Sequence, residues 1–285
     1  MMGRTDSALQ QAVYSSFIVE ASALKPGNVS DYAAGHGMTV KDFYHSAELT
    51  TPILCDPALS VGERIQHSVE VTMEQVGCNT NLGMLLLFAP LIRAAESTTG
   101  NIEQLKTGLV SVLKSLDASE AGRVCAAICL ARPAGLGLSN KYDVHTNINS
   151  GLLEVMAEAQ DRDSIARQYT TDFNDVFSIG LINIKDFTSR WNSVKWATVA
   201  CYMTFLASIP DSHIRRKYGE DVAEQIKTKT IPRAEQFKNN DNPDNAVNVL
   251  LEYDKELKDS QINPGTSADL TAASLLVYKL IDNGC

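Results

Sequence analysis

A lysine-proline-glycine turn follows the first apolar helical stretch of the chain. It reads Lys25-Pro-Gly27-Asn28, and Glu20 lies about one helical turn before it. A cation beside a rigid turn with exposed backbone N–H groups suits an anion, so Lys25 is a candidate phosphate contact. The alternative is a proline-glycine helix stop with solvated charges.

A second polar turn, residues 77–83, precedes the apolar run Met84–Ile92. Unpaired N–H groups at the start of such a helix, together with its dipole, favour a bound phosphate or ribose oxygen. Asn79 or Thr80 could equally serve only as the N-cap. Gly83 falls in the first turn, where a side chain would block the approach of a ligand or a neighbouring helix.

A third segment begins with Asp211 and His213 and continues with the basic triplet 215–217. An acid followed by cations one turn later could hold a carboxylate, a magnesium ion or a phosphate in one pocket, with Arg216 and Lys217 as phosphate contacts. A solvated charged helix face is the alternative.

The fourth segment, Asn263-Pro-Gly265-Thr266-Ser267-Ala-Asp269, opens the last helix. Gly265 permits an unusual turn, and Ser267 with the first N–H groups could bind phosphate, although Asp269 would repel that anion unless a metal or lysine intervenes. A capping box formed by Thr266 and Asp269 explains these two residues without a ligand.

The elements that must position these residues are predicted to be helices. Apolar residues recur at helical spacing, as in Leu9, Val13, Phe17 and Ala21. Capping boxes predict helix starts near 40, 61, 118 and 267, at Thr39–Asp42, Ser60–Glu63, Asp117–Glu120 and Thr266–Asp269. Further helices are predicted over 8–24, 80–97, 101–116, 150–168, 189–208, 213–238 and 244–259. We therefore predict an all-α bundle of about eleven helices forming one domain, 1–285. Residues 168–185 resist assignment, and 25–37 and 132–150 are candidate site loops.

Composition narrows the class of partner. The net charge of -9 disfavours nucleic acid or an anionic membrane. The longest apolar stretch is too short to span a bilayer, and residues 1–11 lack the apolar core of a signal peptide, so we expect a cytosolic protein. An anionic small ligand would need a local basic pocket. Six cysteines without a C-x-x-C pair suggest neither a zinc site nor a disulfide framework. Rossmann, P-loop, serine-hydrolase and zinc-protease signatures are absent. Whether the chain forms a homo-oligomer is open.

Taken in order, the four segments resemble the triphosphoribosyl-dephospho-CoA synthase family. The resemblance rests on four matching stretches: Lys25-Pro-Gly27; Asn79-Thr80 with Gly83; Asp211, His213, Arg216 and Gly219; and Asn263-Pro-Gly-Thr-Ser-Ala-Asp-Leu270. The synthases usually read asparagine-threonine-histidine-lysine-glycine at the second motif, whereas this chain has Asn79-Thr80-Asn81-Leu82-Gly83. A phosphate-binding lysine of the family is therefore missing there. After the lysine-proline-glycine turn, where the family commonly has leucine-valine-aspartate, this chain has Asn28-Val-Ser30-Asp31 and so resembles a divergent branch.

The resemblance implies transfer of a triphosphoribosyl group from ATP to a hydroxyl of dephospho-CoA or a similar acceptor, with release of adenine, in the synthesis of a prosthetic group. It further implies that cations hold the phosphates, that a base accepts the hydroxyl proton and that an acid assists the departure of adenine. We assign Asn79 and Thr80 to orienting the ribose. The other residues assigned to phosphate or substrate binding are Lys25, Gly27, Asn28, Gly83, Arg216, Lys217, Gly265 and Ser267. Glu20, Asp211 and Asp269 are candidate bases, charge stabilisers or Mg²⁺ ligands, and His36 or His213 is the candidate acid.

Two other functions stay open. The Asn81-Leu82 departure is compatible with phosphoribosyl pyrophosphate as donor and another cofactor precursor as acceptor. Loss of the lysine is also compatible with a nucleotide-binding protein that has no catalytic activity.

Overall fold

Helices account for nearly all regular structure in the computed structural model, which describes residues 6–98, 100–136, 141–145 and 149–282. Fourteen α-helices lie within these ranges, and the same ranges contain no β-strand beyond two isolated bridges. They are α1 (Asp6–Ser22), α2 (Val40–Leu54), α3 (Val61–Gln75), α4 (Leu82–Ala95), α5 (Ile102–Ser115), α6 (Ala118–Ala131), α7 (Leu152–Ala159), α8 (Ser164–Thr170), α9 (Leu181–Trp191), α10 (Val194–Ser208), α11 (Ser212–Tyr218), α12 (Glu220–Lys238), α13 (Val247–Asp259) and α14 (Gly265–Asp282). A π-helical turn (Val176–Gly180) precedes α9, and a 3₁₀ turn (Pro243–Ala246) precedes α13.

Side-chain caps fix several helix starts where the sequence predicted them. The capping boxes at Thr39 and Ser60 are present, and the Asp117 carboxylate accepts hydrogen bonds from the first N–H groups of α6. The box predicted for the last helix is wrong, because α14 begins at Gly265 and Thr266 lies inside it. The Thr266 hydroxyl instead accepts a hydrogen bond from the backbone N–H of His213.

Three local breaks raise the helix number from the predicted eleven. The stretch 150–168 divides into α7 and α8, because Asp163 caps a new helix at Ser164. The stretch 213–238 divides at Gly219, whose φ of +92° cannot continue a helix. The unassigned residues 168–185 contain the end of α8, the π-helical turn and the beginning of α9.

The central helix of the bundle is α4, which is buried on almost every side. It packs against α3, α5 and α14, and its Phe88 ring contacts Phe17 of α1. Its fully buried side chains include Leu85, Phe88 and Leu91. A second apolar cluster lies between α10, α12 and α13, around Tyr202, Phe237 and Tyr253. Among the described residues, no helix is long and apolar enough to cross a bilayer. The assignment of residues 1–285 to one domain stays a prediction.

The N-terminal ends of α4, α8, α11 and α14 meet at one cavity of the bundle. The inner surfaces of α6 and α7 form its apolar floor, with Val124, Ile128, Leu152 and Met156 among the lining residues. This arrangement places the second, third and fourth sequence motifs around a common space.

Candidate active site

The cavity has a volume of about 750 Å³ and contains most of the residues that the sequence singled out. Ten predicted site residues line it: Asn28, His36, Asn79, Thr80, Gly83, His213, Arg216, Lys217, Gly265 and Asp269. Glu20, Lys25, Gly27, Asp211 and Ser267 are not among its lining residues. The structure therefore brings the four motifs together but divides their residues between the cavity wall and the layer behind it.

Asp269 is the predicted carboxylate that faces the cavity without a partner. No hydrogen bond or ion pair to its side chain occurs within the described part of the chain, and the carboxylate lies directly against the backbone of Gly83. A β-carbon on Gly83 would overlap this carboxylate, which explains the glycine at that position. Burial raises the pKa of Asp269 well above its ordinary value, and the negative charges of Glu20 and Asp211 raise it further. The proton is therefore held more tightly than on an ordinary aspartate.

Asp211 has a different environment, since both of its carboxylate oxygens are occupied by protein donors. One oxygen accepts hydrogen bonds from the backbone N–H groups of His213 (2.9 Å) and Ile214 (3.1 Å) and so caps α11. The other accepts from the backbone N–H (2.7 Å) and the hydroxyl (2.8 Å) of Ser267. Asp211 is only 2% exposed and ties the start of α11 to the first turn of α14.

Glu20 and Lys25 form an ion pair that is sealed from solvent. The Lys25 Nζ lies 2.5 Å from Glu20 Oε1 and 2.8 Å from the Glu20 carbonyl oxygen, and neither side chain is exposed. Burial raises the pKa of Glu20 and lowers the pKa of Lys25, while the attraction between the two charges opposes both changes. The negative charge of Asp269 also raises the pKa of Lys25. Lys25 thus lies behind the carboxylate, where its charge reaches Asp269 although it does not line the cavity.

The lysine-proline-glycine turn packs against the asparagine-proline-glycine turn from the other end of the chain. The Gly27 N–H donates to Asp254 Oδ1 (2.8 Å), and Asn28 Nδ2 donates to Asn263 Oδ1 (2.8 Å). Gly27 has a φ of +83°, and a β-carbon there would lie 2.8 Å from Pro264 Cδ. The first and fourth motifs therefore fix each other in place.

His213 stands over the first turn of α14. Its Nδ1 lies 2.8 Å from the position that a β-carbon of Gly265 would occupy, so glycine makes room for the imidazole. Burial lowers the pKa of His213; Asp211 opposes this change, and the positive charges of Arg216 and Lys217 add to it. Gly265 and Asp269 are four residues apart and lie on the same face of α14, so His213 and Asp269 border the same region of the cavity.

His36 reaches the cavity from the segment after the first motif. Its Nε2 lies 2.8 Å from the carbonyl oxygen of Gly27, and since a carbonyl can only accept, Nε2 carries the proton. This contact leaves Nδ1 of a neutral His36 as the ring atom that can accept a hydrogen bond.

In the turn before α4, Asn79 and Thr80 both bond within the protein. Asn79 Oδ1 accepts a hydrogen bond from the Leu82 N–H (3.1 Å), which makes it a cap of α4. The Thr80 hydroxyl lies 2.6 Å from the Ser46 hydroxyl, with either oxygen able to donate. Both residues still line the cavity, so contact with a ribose stays a prediction.

Cations gather where α11 borders the cavity. Arg216 pairs with Asp163 across to the start of α8, and Lys217 is exposed. Sequence reasoning missed further lining cations, of which Arg132 ends α6 with a left-handed φ of +46°. No hydrogen bond or ion pair to the Arg132 side chain occurs within the described residues. Arg162 and Asp163 also line the cavity and were also missed, whereas Arg215 belongs to the predicted basic triplet and lines it as well. Arg132 begins the predicted loop 132–150, of which residues 137–140 and 146–148 lie outside the described part.

The three carboxylates predicted as Mg²⁺ ligands do not surround a common ion. In the ranges that the structure describes, no group of three or more His, Cys, Asp or Glu side chains is spaced to hold a metal. Magnesium commonly binds through substrate phosphates and water with few protein ligands, so a nucleotide could bring it. Mg²⁺ as a cofactor stays a prediction.

Comparison with known proteins gives concordant results. The sequence profile of the CitG family, described as ATP:dephospho-CoA triphosphoribosyl transferase, matches residues 6–284. A crystal structure from Archaeoglobus fulgidus, of a protein proposed to be a triphosphoribosyl-dephospho-CoA synthase, superposes with a TM-score of 0.64 and 27% sequence identity. The match covers 84% of this chain and 98% of that one. Among curated protein sequences, none matches significantly.

Proposed function

The chain belongs to the ATP:dephospho-CoA triphosphoribosyl transferase family, and we propose that its cavity binds ATP and transfers the triphosphoribosyl group to a hydroxyl of dephospho-CoA or a similar acceptor. The enzyme is thus a transferase of the triphosphoribosyl-dephospho-CoA synthase type. In this reaction the acceptor oxygen forms a bond to C1′ of the ATP ribose while the bond from C1′ to N9 of adenine breaks.

The observation that carries the proposal is that Asp269 and His213 border the same region of the cavity, at the first turn of α14. Their environments change the two pKa values in opposite directions, so that the carboxyl tends to keep its proton and the imidazole tends to stay neutral. Such a pair supplies an acid and a base at the same time, which is what exchange of one group for another at C1′ requires. This assignment exchanges the roles suggested by the sequence, where a histidine was the candidate acid.

Asp269 donates its proton to the departing adenine. Adenine leaves with the electron pair of the broken bond and becomes neutral when it receives this proton. The donation leaves a carboxylate beside C1′ as positive charge develops on the ribose, and a fixed negative charge there stabilises the transition state. His213 accepts the proton that the acceptor hydroxyl loses when its oxygen bonds to C1′.

The remaining residues of the motifs hold this pair in position. Asp211 fixes the start of α11, which carries His213, against the first turn of α14 through Ser267. The buried pair of Glu20 and Lys25 lies behind Asp269 and contributes to the electrostatic potential at its carboxyl group.

The triphosphate has a positive edge of the cavity to bind to. This edge is formed by Arg216 and Lys217 of α11 together with Arg132 at the end of α6. Mg²⁺ bound to the phosphates would neutralise part of their charge.

The test is the release of adenine from ATP. Purified protein is incubated with Mg²⁺, ATP and dephospho-CoA, and adenine is measured by chromatography together with the mass of the coupled product. We expect Asp269→Asn to lower kcat by about 10²- to 10⁴-fold, since that range is typical for loss of a positioned acid. Asp186→Asn, on the exposed surface of α9, is the matched control and should have full activity.

The pH dependence of kcat/KM separates the two roles. We expect a bell-shaped profile, with an acidic limb where His213 becomes protonated and a basic limb where Asp269 loses its proton. His213→Gln should remove the acidic limb, and the residual activity of Asp269→Asn should lack the basic limb. If the protein releases pyrophosphate from phosphoribosyl pyrophosphate but no adenine from ATP, then phosphoribosyl pyrophosphate is the donor and ATP is not. Nucleotide binding with no turnover of either donor would favour a protein without catalytic activity.

A further inference from the structure

Asn81 carries a buried amide for which the protein provides no partner. The residue is 4% exposed and lines the cavity at the start of α4, yet its Nδ2 makes no hydrogen bond. The side chain is not needed as a cap, because Asn79 Oδ1 already accepts from the Leu82 N–H. The backbone of Asn81 has its helical role, with its carbonyl accepting from the Leu85 N–H at 2.9 Å.

A buried donor without an acceptor is unfavourable, because it has lost water and gained nothing in exchange. Nearly all buried polar groups in folded proteins have a partner, so an exception on a cavity wall indicates that a ligand atom completes the hydrogen bond. The backbone N–H groups of the first turn of α4 lie at the same end of the helix as Asn81. Their partial positive charge favours an electron-rich ligand atom there.

The surroundings of Asn81 favour an uncharged acceptor over a phosphate. Two residues later, Gly83 touches the Asp269 carboxylate, which has no cation paired with it. Leu82 occupies the position where the synthases have a lysine, and it packs into the apolar core. The lining cations instead belong to α11 and to residues 132 and 162. A phosphate at Asn81 would therefore find no cation in this turn, and it would lie against the carboxylate that Asp269 becomes when it donates its proton.

Resting on the proposed function, we infer that Asn81 Nδ2 donates a hydrogen bond to an uncharged acceptor on the nucleoside of ATP. The acceptor is either a ribose hydroxyl or a ring nitrogen of adenine, since both lie close to the C1′ atom that Asp269 serves. Asn81 is then a specificity-determining residue that recognises the nucleoside, while the positive edge holds the phosphates.

The experiment measures binding by calorimetry, so that it does not depend on turnover. Wild type is titrated with ATP, with 2′-deoxy- and 3′-deoxy-ATP for the ribose, and with 1-, 3- and 7-deaza-ATP for the base. One analogue should bind about three- to tenfold more weakly than ATP, the range expected for one hydrogen bond, and it identifies the acceptor. Asn81→Ala should bind ATP more weakly by a similar factor and no longer distinguish that analogue from ATP.

Two controls separate this role from a structural one. Asn248→Ala, on the exposed face of α13, should bind every nucleotide as wild type does. The melting temperature of Asn81→Ala should equal or exceed that of wild type, because the substitution removes an unpartnered donor, whereas Asn79→Ala should melt lower through loss of the cap.

The inference is overturned if Asn81→Ala binds ATP and all analogues as wild type does, or if no analogue differs from ATP in wild type. It is also overturned if Asn81→Ala weakens inorganic triphosphate as much as ATP, since the partner would then be a phosphate. If the calorimetric results for Asn81 are as expected but no adenine is released, the proposed reaction is rejected and the role of Asn81 in binding the nucleoside is not. Absence of any ATP binding by wild type would reject both.

Discussion

Replacing Gly83 with alanine tests whether the position of Asp269 matters for the reaction. Gly83 lies in the first turn of α4, and the Asp269 carboxylate packs directly against its backbone. A β-carbon at this position would overlap the Asp269 carboxylate and lie 2.8 Å from Ile165 Cδ1. Because Ile165 belongs to the apolar core, the carboxyl group is the part that must move.

Two opposing terms set the effect on stability. Alanine is favoured over glycine in a helix by about 1 kcal/mol. Extra atoms in a packed region cost about 1–3 kcal/mol. The free energy of unfolding should therefore fall by no more than about 2 kcal/mol, and the fold should persist. The effect on rate should be larger, since displacement of a reacting group by about 1 Å can cost roughly 100-fold.

The assay combines adenine release with urea denaturation of Gly83→Ala and of a matched control, Gly122→Ala. Gly122 lies inside α6, and a β-carbon there would meet no atom within 4 Å. The control should gain up to about 1 kcal/mol in stability and keep full activity. A Gly83→Ala enzyme that folds and has the wild-type kcat would refute the reasoning, because Asp269 would then not need its observed position.

Three further predictions concern the buried charges around the cavity. Folding raises the pKa of Asp269, so the stability that its protonated carboxyl contributes is full below the ordinary aspartate pKa and is lost as the pH rises. Asp269→Asn cannot ionise, and it should therefore melt at a higher temperature than wild type at pH 8. The difference should be smaller at pH 5. A difference that does not change between the two pH values would contradict this. Lys25→Met leaves the Glu20 carboxylate buried alone and should cost about 3–5 kcal/mol in urea denaturation, much of which Glu20→Gln in the same chain should restore. If Lys25 instead contacts phosphate, Lys25→Met will keep its stability and lose ATP affinity. Asp211→Ala removes a helix cap and the link to Ser267, so stability should fall by at least about 2 kcal/mol, and an unchanged denaturation midpoint would exclude this structural role.

The sequence predicted those features that depend on neighbours along the chain. Ser60 and Glu63 cap α3 as their spacing required, and the apolar run after Gly83 forms the buried helix α4. The π-helical turn and α9 could not be predicted, because they follow left-handed φ values at Asp172 and Phe173 that no glycine marks.

The sequence predicted which residues surround the site better than it predicted what each side chain contacts. In the third motif, both carboxylate oxygens of Asp211 accept hydrogen bonds from the protein, whereas His213 lines the cavity. Sequence spacing cannot tell which of these two residues is available to a substrate. Lys25 was expected at a phosphate because its turn looked exposed, yet its side chain is fully buried in an ion pair with Glu20. Arg132 was predicted only as the first residue of the candidate loop 132–150, without a motif of its own, and it reaches the cavity because α6 ends there.

The contact between the turns at Gly27 and Pro264 has a consequence for how the protein is made. During translation, the turn at Lys25 leaves the ribosome more than two hundred residues before the turn that must pack against it. Until α14 emerges, the nascent chain lacks both the Asp269 carboxylate that lies against Gly83 and the proline, Pro264, that packs against Gly27. We therefore expect products that stop before Asn263 to be inactive, so that activity itself would report that synthesis has passed α14.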